Sequence, residues 1–183
     1  EIINIQKIDA TNAKKANKIA LVALNGGANG LCFSNPNNLK LLLKDIKTEY
    51  IKTDFIDTDF SFIQELEEYC NKNILIGSLE SNNSFKIKNV TKKITVHGKT
   101  VKEEIRNAFE TGKKTNGEIE FHFTIGKNFF FEIAKLRSFR ILWKSQTNQD
   151  PFITTSTSKK NQSSGVNNIF KTTTECISAI LGG

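Results

Sequence analysis

An α/β fold built on a parallel sheet is what the sequence predicts, and two observations lead there. Strand-like segments rich in β-branched and aromatic residues alternate with segments of helical periodicity along nearly all of the 183 residues. Parallel strands need a crossover of about a dozen residues, which the helical segments supply. About seven such units can be read, one short of the eight that close a (β/α)8 barrel at about 250 residues. The expectation is therefore a TIM-type barrel, incomplete in this chain, forming one domain over residues 1–183. A doubly wound open sheet is the alternative. It is less favoured because no Gly-x-Gly-x-x-Gly turn follows the first strand.

The elements follow in order. Residues 3–8 (INIQKI) read as a strand, and TNAKKANKIALVALNGG reads as a helix capped by Thr11 or Asn12 and stopped at Gly26 and Gly27. Residues 28–33 form a short apolar strand, and NPNNLKLLLKDIK turns into a helix. Residues 49–56 are strand-like, and the next helix has Thr58 or Asp59 as cap, with Phe62, Leu66 and Tyr69 at helical spacing. Residues 73–79 are a fourth strand. The polar stretch after it, ESNNSFKIKNVTKK, is too short for a full helix with its loops. Residues 93–98 are a fifth strand. KTVKEEIRNAFETGKK is then a helix with Val101, Ile105, Ala108 and Phe109 on one face, ended by Gly112. Residues 118–126 are a sixth strand, residues 129–143 begin a long helix, residues 151–158 are a seventh strand, and VNNIFKTTTECISAILGG is a last helix.

The long helix opens FFFEIAKLRSFRILW. Helical spacing puts Phe129, Ile133, Leu136 and Trp143 in one apolar stripe, with Phe130, Ala134 and Ile141 beside it. Three successive aromatics turn by about 100° each and cannot all face inward. Glu132 sits in the first turns, where the helix dipole favours an anion, in reach of Arg137 or a neighbouring lysine. The stripe therefore predicts core packing rather than a cofactor box.

Composition excludes several classes. No apolar run of about 18 residues exists, so no membrane span is predicted. The N-terminus lacks the basic and apolar regions of a signal peptide, and a cytoplasmic location is expected. Cys32, Cys70 and Cys176 are far apart, with no C-x-x-C, and read as reduced, mostly buried thiols. The two histidines, His97 and His122, have no metal-ligand spacing. The net charge of +7 invites a nucleic-acid reading. It rests almost wholly on scattered lysines, however, and the arginines are only Arg106, Arg137 and Arg140, so no nucleic-acid partner is expected.

Barrel chemistry sits just beyond the C-terminal strand ends. Those positions hold Gln6, Lys7 and Asp9, then Asp57 and Asp59, Ser78 and Glu80, His97, and the run Thr154 to Ser158 followed by Lys159 and Lys160. His97 is the acid–base candidate if the chain is active, since imidazole titrates near operating pH. Asp59 reads better as a helix cap, and His122, between Phe121 and Phe123, points to the opposite face from both rings and reads as structural. No Ser–His–Asp order, Gly-x-Ser-x-Gly elbow or Walker loop is present, so the residues alone supply no catalytic set.

The segment IGKNFFFEIAKLRSFRILW resembles a signature of the methylmalonyl-CoA mutase family, in which a strand-ending Gly and N-F/Y-F lead into E-I/V-A-K-L-R-x-x-R-x-L-W. The matches are Gly126, Asn128, Phe129, Phe130, Glu132, Ile133, Ala134, Lys135, Leu136, Arg137, Arg140, Leu142 and Trp143. FKTTTECISAILGG is similar to the family's R-T-T-T-E-A-x-S-A-x-L-G-G, and IQKIDA and NILIGSL resemble weaker motifs in the same order. The resemblance implies a barrel from a family that isomerises methylmalonyl-CoA to succinyl-CoA with adenosylcobalamin held by a second domain. It also implies that many bacterial versions pair the catalytic subunit with a related inactive small one.

Four departures point to the small subunit. The D-x-H-x-x-G cobalt-ligand motif is absent from the sequence. The fifth strand ends with His97 alone, where active barrels carry a Tyr-His pair. Glu118 and Glu120 stand where active subunits have the Arg-x-Ser that contacts substrate, and carboxylates repel CoA phosphates. Lys159 and Lys160 replace the Gly-Trp that faces the cofactor. The expected role is a non-catalytic partner of the mutase large subunit in a heterodimer. Such a chain binds no cofactor itself, and adenosylcobalamin sits in the partner. The alternatives are a small barrel enzyme or acyl-CoA-binding protein keeping residual activity, or a basic nucleic-acid-binding module.

Overall fold

The computed structural model describes residues 2–81, 83–158 and 166–183. Lys159 and Lys160 lie outside the described residues. The chain divides into two compact units, Glu1–Lys93 and Ile94–Gly183. All registered strand pairs are parallel. Among the described residues this is an α/β fold with seven parallel strands, compatible with an incomplete TIM-type barrel.

The first unit runs β1 (Ile5–Asp9), α1 (Ala13–Asn25), β2 (Gly30–Ser34), α2 (Leu39–Leu42), β3 (Lys52–Ile56), α3 (Phe60–Cys70), β4 (Gly77–Leu79) and most of β5 (Val90–Thr95). Each strand pairs with the next in sequence. Asn12 and Asp59, each one of two residues expected as cap, accept from Lys15 N–H and Phe62 N–H. Among the described residues no helix separates β4 from β5, as the short polar stretch implied. The helix read after residue 35 shrinks to the single turn α2, and β5 begins three residues earlier than its β-branched signal suggested.

Alternation sorts the strand residues by face. Ile8, Leu31, Phe33, Phe55 and Leu79 pack with Ala13, Ala16 and Ala20 of α1 and with Phe62, Ile63 and Leu66 of α3. The alanine stripe lets α1 lie close on the sheet. Gly77 is required by the approach of β3: a Cβ there would sit 1.7 Å from the Thr53 carbonyl oxygen.

The second unit holds the end of β5, α4 (Val101–Lys113), β6 (Ile119–Ile125), α5 (Phe129–Thr147), β7 (Phe152–Thr157) and α6 (Val166–Gly182). Beyond β5, Val96 N–H bonds the His122 carbonyl at 2.9 Å, so that segment runs beside β6. The core is aromatic. Phe121 meets Trp143 and Phe139 edge-on at centroid distances of 4.7 and 4.8 Å, and Phe123 meets Phe139 at 5.1 Å. Edge-to-face geometry adds about 0.5–1.5 kcal/mol per pair beyond area burial.

Two expectations are corrected here. Gly112 lies inside α4 rather than ending it, and a Cβ there would meet the Trp143 ring at 2.7 Å. Close packing of α4 on that ring, not a helix stop, is what this glycine serves. In α5 the buried stripe is Glu132, Lys135, Leu136, Phe139 and Trp143. Phe130 and Ile141, assigned to the apolar face, are 79% and 68% exposed. Spacings of four, three and four from Glu132 to Trp143 put Phe139 at the stripe's centre, and two buried charges occupy positions a hydrophobicity count gives to apolar neighbours.

Candidate functional site

The strand face opposite the helices carries polar side chains, and in each unit they gather into a hydrogen-bonded cluster. In the first unit the cluster centres on Asp54, which has no solvent exposure. Lys52 and Asp54 are two apart on β3 and so share a face. Lys52 Nζ donates to both Asp54 oxygens at 2.6 Å. Lys93 Nζ donates to Oδ2 at 2.8 Å, and Ser78 N–H to Oδ1 at 3.1 Å. The carboxylate thereby joins β3, β4 and β5. Parallel register sets Lys7 and Cys32 in the same row. Burial pushes the Cys32 thiol up to about 11, with Asp54 adding to the rise and Lys93, Lys7 and Lys52 opposing it. A thiol protonated at neutral pH is a poor nucleophile. The charged residues of this cluster are occupied with one another, and the arrangement is structural.

In the second unit, Glu120, His122, Thr154 and Ser156 form a continuous chain. Register places His122 opposite Thr154. Thr154 Oγ1 donates to Glu120 Oε1 at 2.8 Å. His122 Nδ1 lies 3.1 Å from Thr154 Oγ1, and its Nε2 lies 3.1 Å from Ser156 Oγ. Glu120 is fully buried, and Ser156 is exposed. His122 faces away from Phe121 and Phe123, which are core residues, as alternation requires.

Of the predicted strand-end residues, Thr154 and Ser156 belong to this hydrogen-bonded chain and Ser78 N–H to the Asp54 cluster. His97 is exposed two residues past β5; its carbonyl accepts from Asn107 Nδ2 at 2.7 Å, and no described side chain hydrogen-bonds its ring. Asp57 is exposed with a left-handed backbone, φ 55°. Asp59 caps α3, and the Phe62 N–H, then the Ser61 hydroxyl, hold its carboxyl below the usual range. Asp9 accepts from Thr11 N–H, and Gln6 and Lys7 are exposed. Ser78 is buried and Glu80 half-buried. Cys32 is buried and Cys70 intermediate, but Cys176 is exposed on α6, where a helical face open to solvent replaces the burial expected of it.

The basic and acidic residues that carry the family resemblance have scaffold partners. Lys135 Nζ contacts Glu132 at 2.6 Å, Glu104 of α4 at 2.8 Å and the Thr124 carbonyl of β6 at 3.0 Å. Glu132 thus pairs with a lysine, while Arg137 donates to the Leu181 carbonyl from Nε and Nη2 at 3.1 and 2.9 Å. Arg140 donates to the carbonyls of Pro151 and Gly183. On α6, Glu175 accepts from Ser158 N–H at 3.1 Å, and Lys171 donates to the Ser158 carbonyl at 2.9 Å.

The fold and these scaffold contacts define an α/β parallel-sheet protein, and comparison gives the family it is similar to. Residues 99–183 match the family model described as Methylmalonyl-CoA mutase. The methylmalonyl-CoA mutase of Rhizobium meliloti (strain 1021) is 38% identical over 96 residues, covering 45% of this chain. The match spans 14% of that relative's length. Each match covers less than half of this chain. Among the described residues no helix is long and apolar enough to cross a membrane.

Proposed function

We propose that this chain is barrel domain from the small, non-catalytic subunit of a methylmalonyl-CoA mutase, and that it stabilises a catalytic large subunit as a heterodimer. One observation carries the reading. Glu120 stands where the resemblance calls for the serine of an Arg-x-Ser that contacts substrate, and it is a fully buried carboxylate tied to Thr154. A carboxylate on this face opposes an anionic acyl-CoA. The residues also do not fit a cobalt ligand. Both ring nitrogens of His122 contact hydroxyls, and His97 stands on an exposed loop outside any D-x-H-x-x-G setting. In this reading adenosylcobalamin is held outside residues 1–183.

The test is purification of the full-length protein from its own cells. The expected result is co-elution with a longer mutase subunit, with isomerisation of methylmalonyl-CoA only by the pair. Turnover by this protein alone, with adenosylcobalamin added, overturns the reading. Tight CoA binding lost in His97→Ala would replace it with a residual acyl-CoA site, and salt-dependent binding of DNA or RNA with a nucleic-acid module.

A further inference from the structure

We propose that Ser156 is an activated nucleophile, with His122 as its general base, and that this face of the second unit supports acyl transfer from carboxylic esters. The proposal stands on hydrogen-bond geometry and does not rest on the mutase reading.

The direction of the bonds decides the chemistry. A threonine hydroxyl has one proton, and that of Thr154 goes to Glu120 Oε1. Toward His122 the same oxygen can therefore only accept. The proton of the neutral imidazole must then sit on Nδ1, since Nδ1 is the nitrogen facing Thr154 at 3.1 Å. Nε2 is left with a lone pair, and it lies 3.1 Å from Ser156 Oγ. The Ser156 proton thus points at a base whose tautomer is fixed from behind. A nucleophile and base within about 2.6–3.2 Å, with the base oriented by a third group, is the arrangement that activates a serine. Here the carboxylate acts through a threonine rather than directly on the ring. Glu120 and Thr154 are positioning residues, while Ser156 and His122 meet the reacting atoms.

Placement supports this. Glu120 and His122 are two apart on β6, Thr154 and Ser156 are two apart on β7, and parallel register brings the two pairs side by side. Burial of Glu120 at one end and exposure of Ser156 at the other leave the hydroxyl open to substrate.

The step is as follows. Ser156 Oγ attacks the ester carbonyl, and its proton passes to His122 Nε2. A bond forms from Oγ to the acyl carbon, the ester C–O bond breaks, and the proton moves from Nε2 to the departing alkoxide. Water then attacks the acyl-serine, giving its proton to Nε2, and the carboxylic acid leaves as Ser156 recovers its proton.

The experiment treats the full-length protein with a fluorophosphonate probe and, separately, with p-nitrophenyl acetate. The expected result is one phosphonylated peptide, containing Ser156, and ester hydrolysis that falls at least about 100-fold in Ser156→Ala and in His122→Gln, the scale of general-base assistance. In His122→Gln the pH–rate profile loses one ionisation. Thr154→Val lowers kcat and shifts that ionisation with little change in KM, and Thr154→Ser restores both. Unfolding midpoints of the variants within a few degrees of the parent confirm that chemistry and not folding was lost. Labelling at another residue, no labelling, or parent-level hydrolysis by Ser156→Ala overturns the proposal. Absence of a mutase partner leaves it untouched.

Discussion

Lys135 is the residue whose replacement tests the scaffold most sharply. Its side chain is 1% exposed and touches two carboxylates and a carbonyl from three different elements. Lys135→Met keeps most of the stem's volume and removes only the ammonium. Glu132 and Glu104 then face each other's charge without it. Breaking a buried ion pair from one side costs about 3–5 kcal/mol. The Glu104 side chain is 18% exposed and regains some water, so the low end, about 3 kcal/mol, is expected. For a chain of this size that is a fall in Tm of roughly 6–12 °C. Trp143, the sole tryptophan, lies in the same core and reports the transition by fluorescence. Adding Glu132→Leu should restore at least about half the loss, because a stranded carboxylate becomes apolar packing. A single-variant shift under about 2 °C, or a double variant no better than the single, refutes the reasoning.

Asp54→Asn withdraws the charge that Lys52 and Lys93 both contact, and a loss of about 3–5 kcal/mol should appear in urea unfolding followed by circular dichroism. With a thiol-specific reagent at neutral pH, Cys176 should react at once, whereas Cys32 and Cys70, whose thiols burial pushes up to about 11, should react only on unfolding. The Asp59 carboxyl is held low by the Phe62 N–H, so its folded pKa lies below its unfolded one. The stability it adds is present above the unfolded value and is lost as pH falls through the folded one. Asp59→Ala should therefore lower Tm at neutral pH, and the gap to the parent should close in acid; a gap that persists there removes the assignment.

The legible features were those set by local rules. Capping oxygens at Asn12 and Asp59, the polar stretch too short for a helix before β5, and the alternation of β6 each express a short-range preference that tertiary packing did not override. Boundaries moved where pairing decided them. β5 starts at Val90 because β4 pairs with Val90, Thr91 and Lys92, although two of those are polar. The clusters were hidden for a related reason. Lys52 and Asp54, or Glu120 and His122, look like ordinary polar strand positions until another strand supplies Lys93 or Thr154. A polar residue at every second position on the non-helix face was the available signal. His97, a strand-end histidine by sequence, is exposed, while both ring nitrogens of His122 meet hydroxyls of β7 that only the register reveals.

That contrast separates the residues that carry the resemblance from those that line the strand face. Lys135, Arg137 and Arg140 reach carbonyls or carboxylates on α4, β6, the lead into β7 and the end of α6. Together these bonds tie α5 to four other places in the unit, so each residue serves the packing of that helix. Glu120, His122, Thr154 and Ser156 hydrogen-bond one another across two adjacent strands, beside a backbone ladder that pairs β6 with β7. Their replacement alters what the face can bind or transform. The longest motifs of resemblance lie on α5 and α6 and are evidence about scaffold, so the chemistry must be argued from β6 and β7.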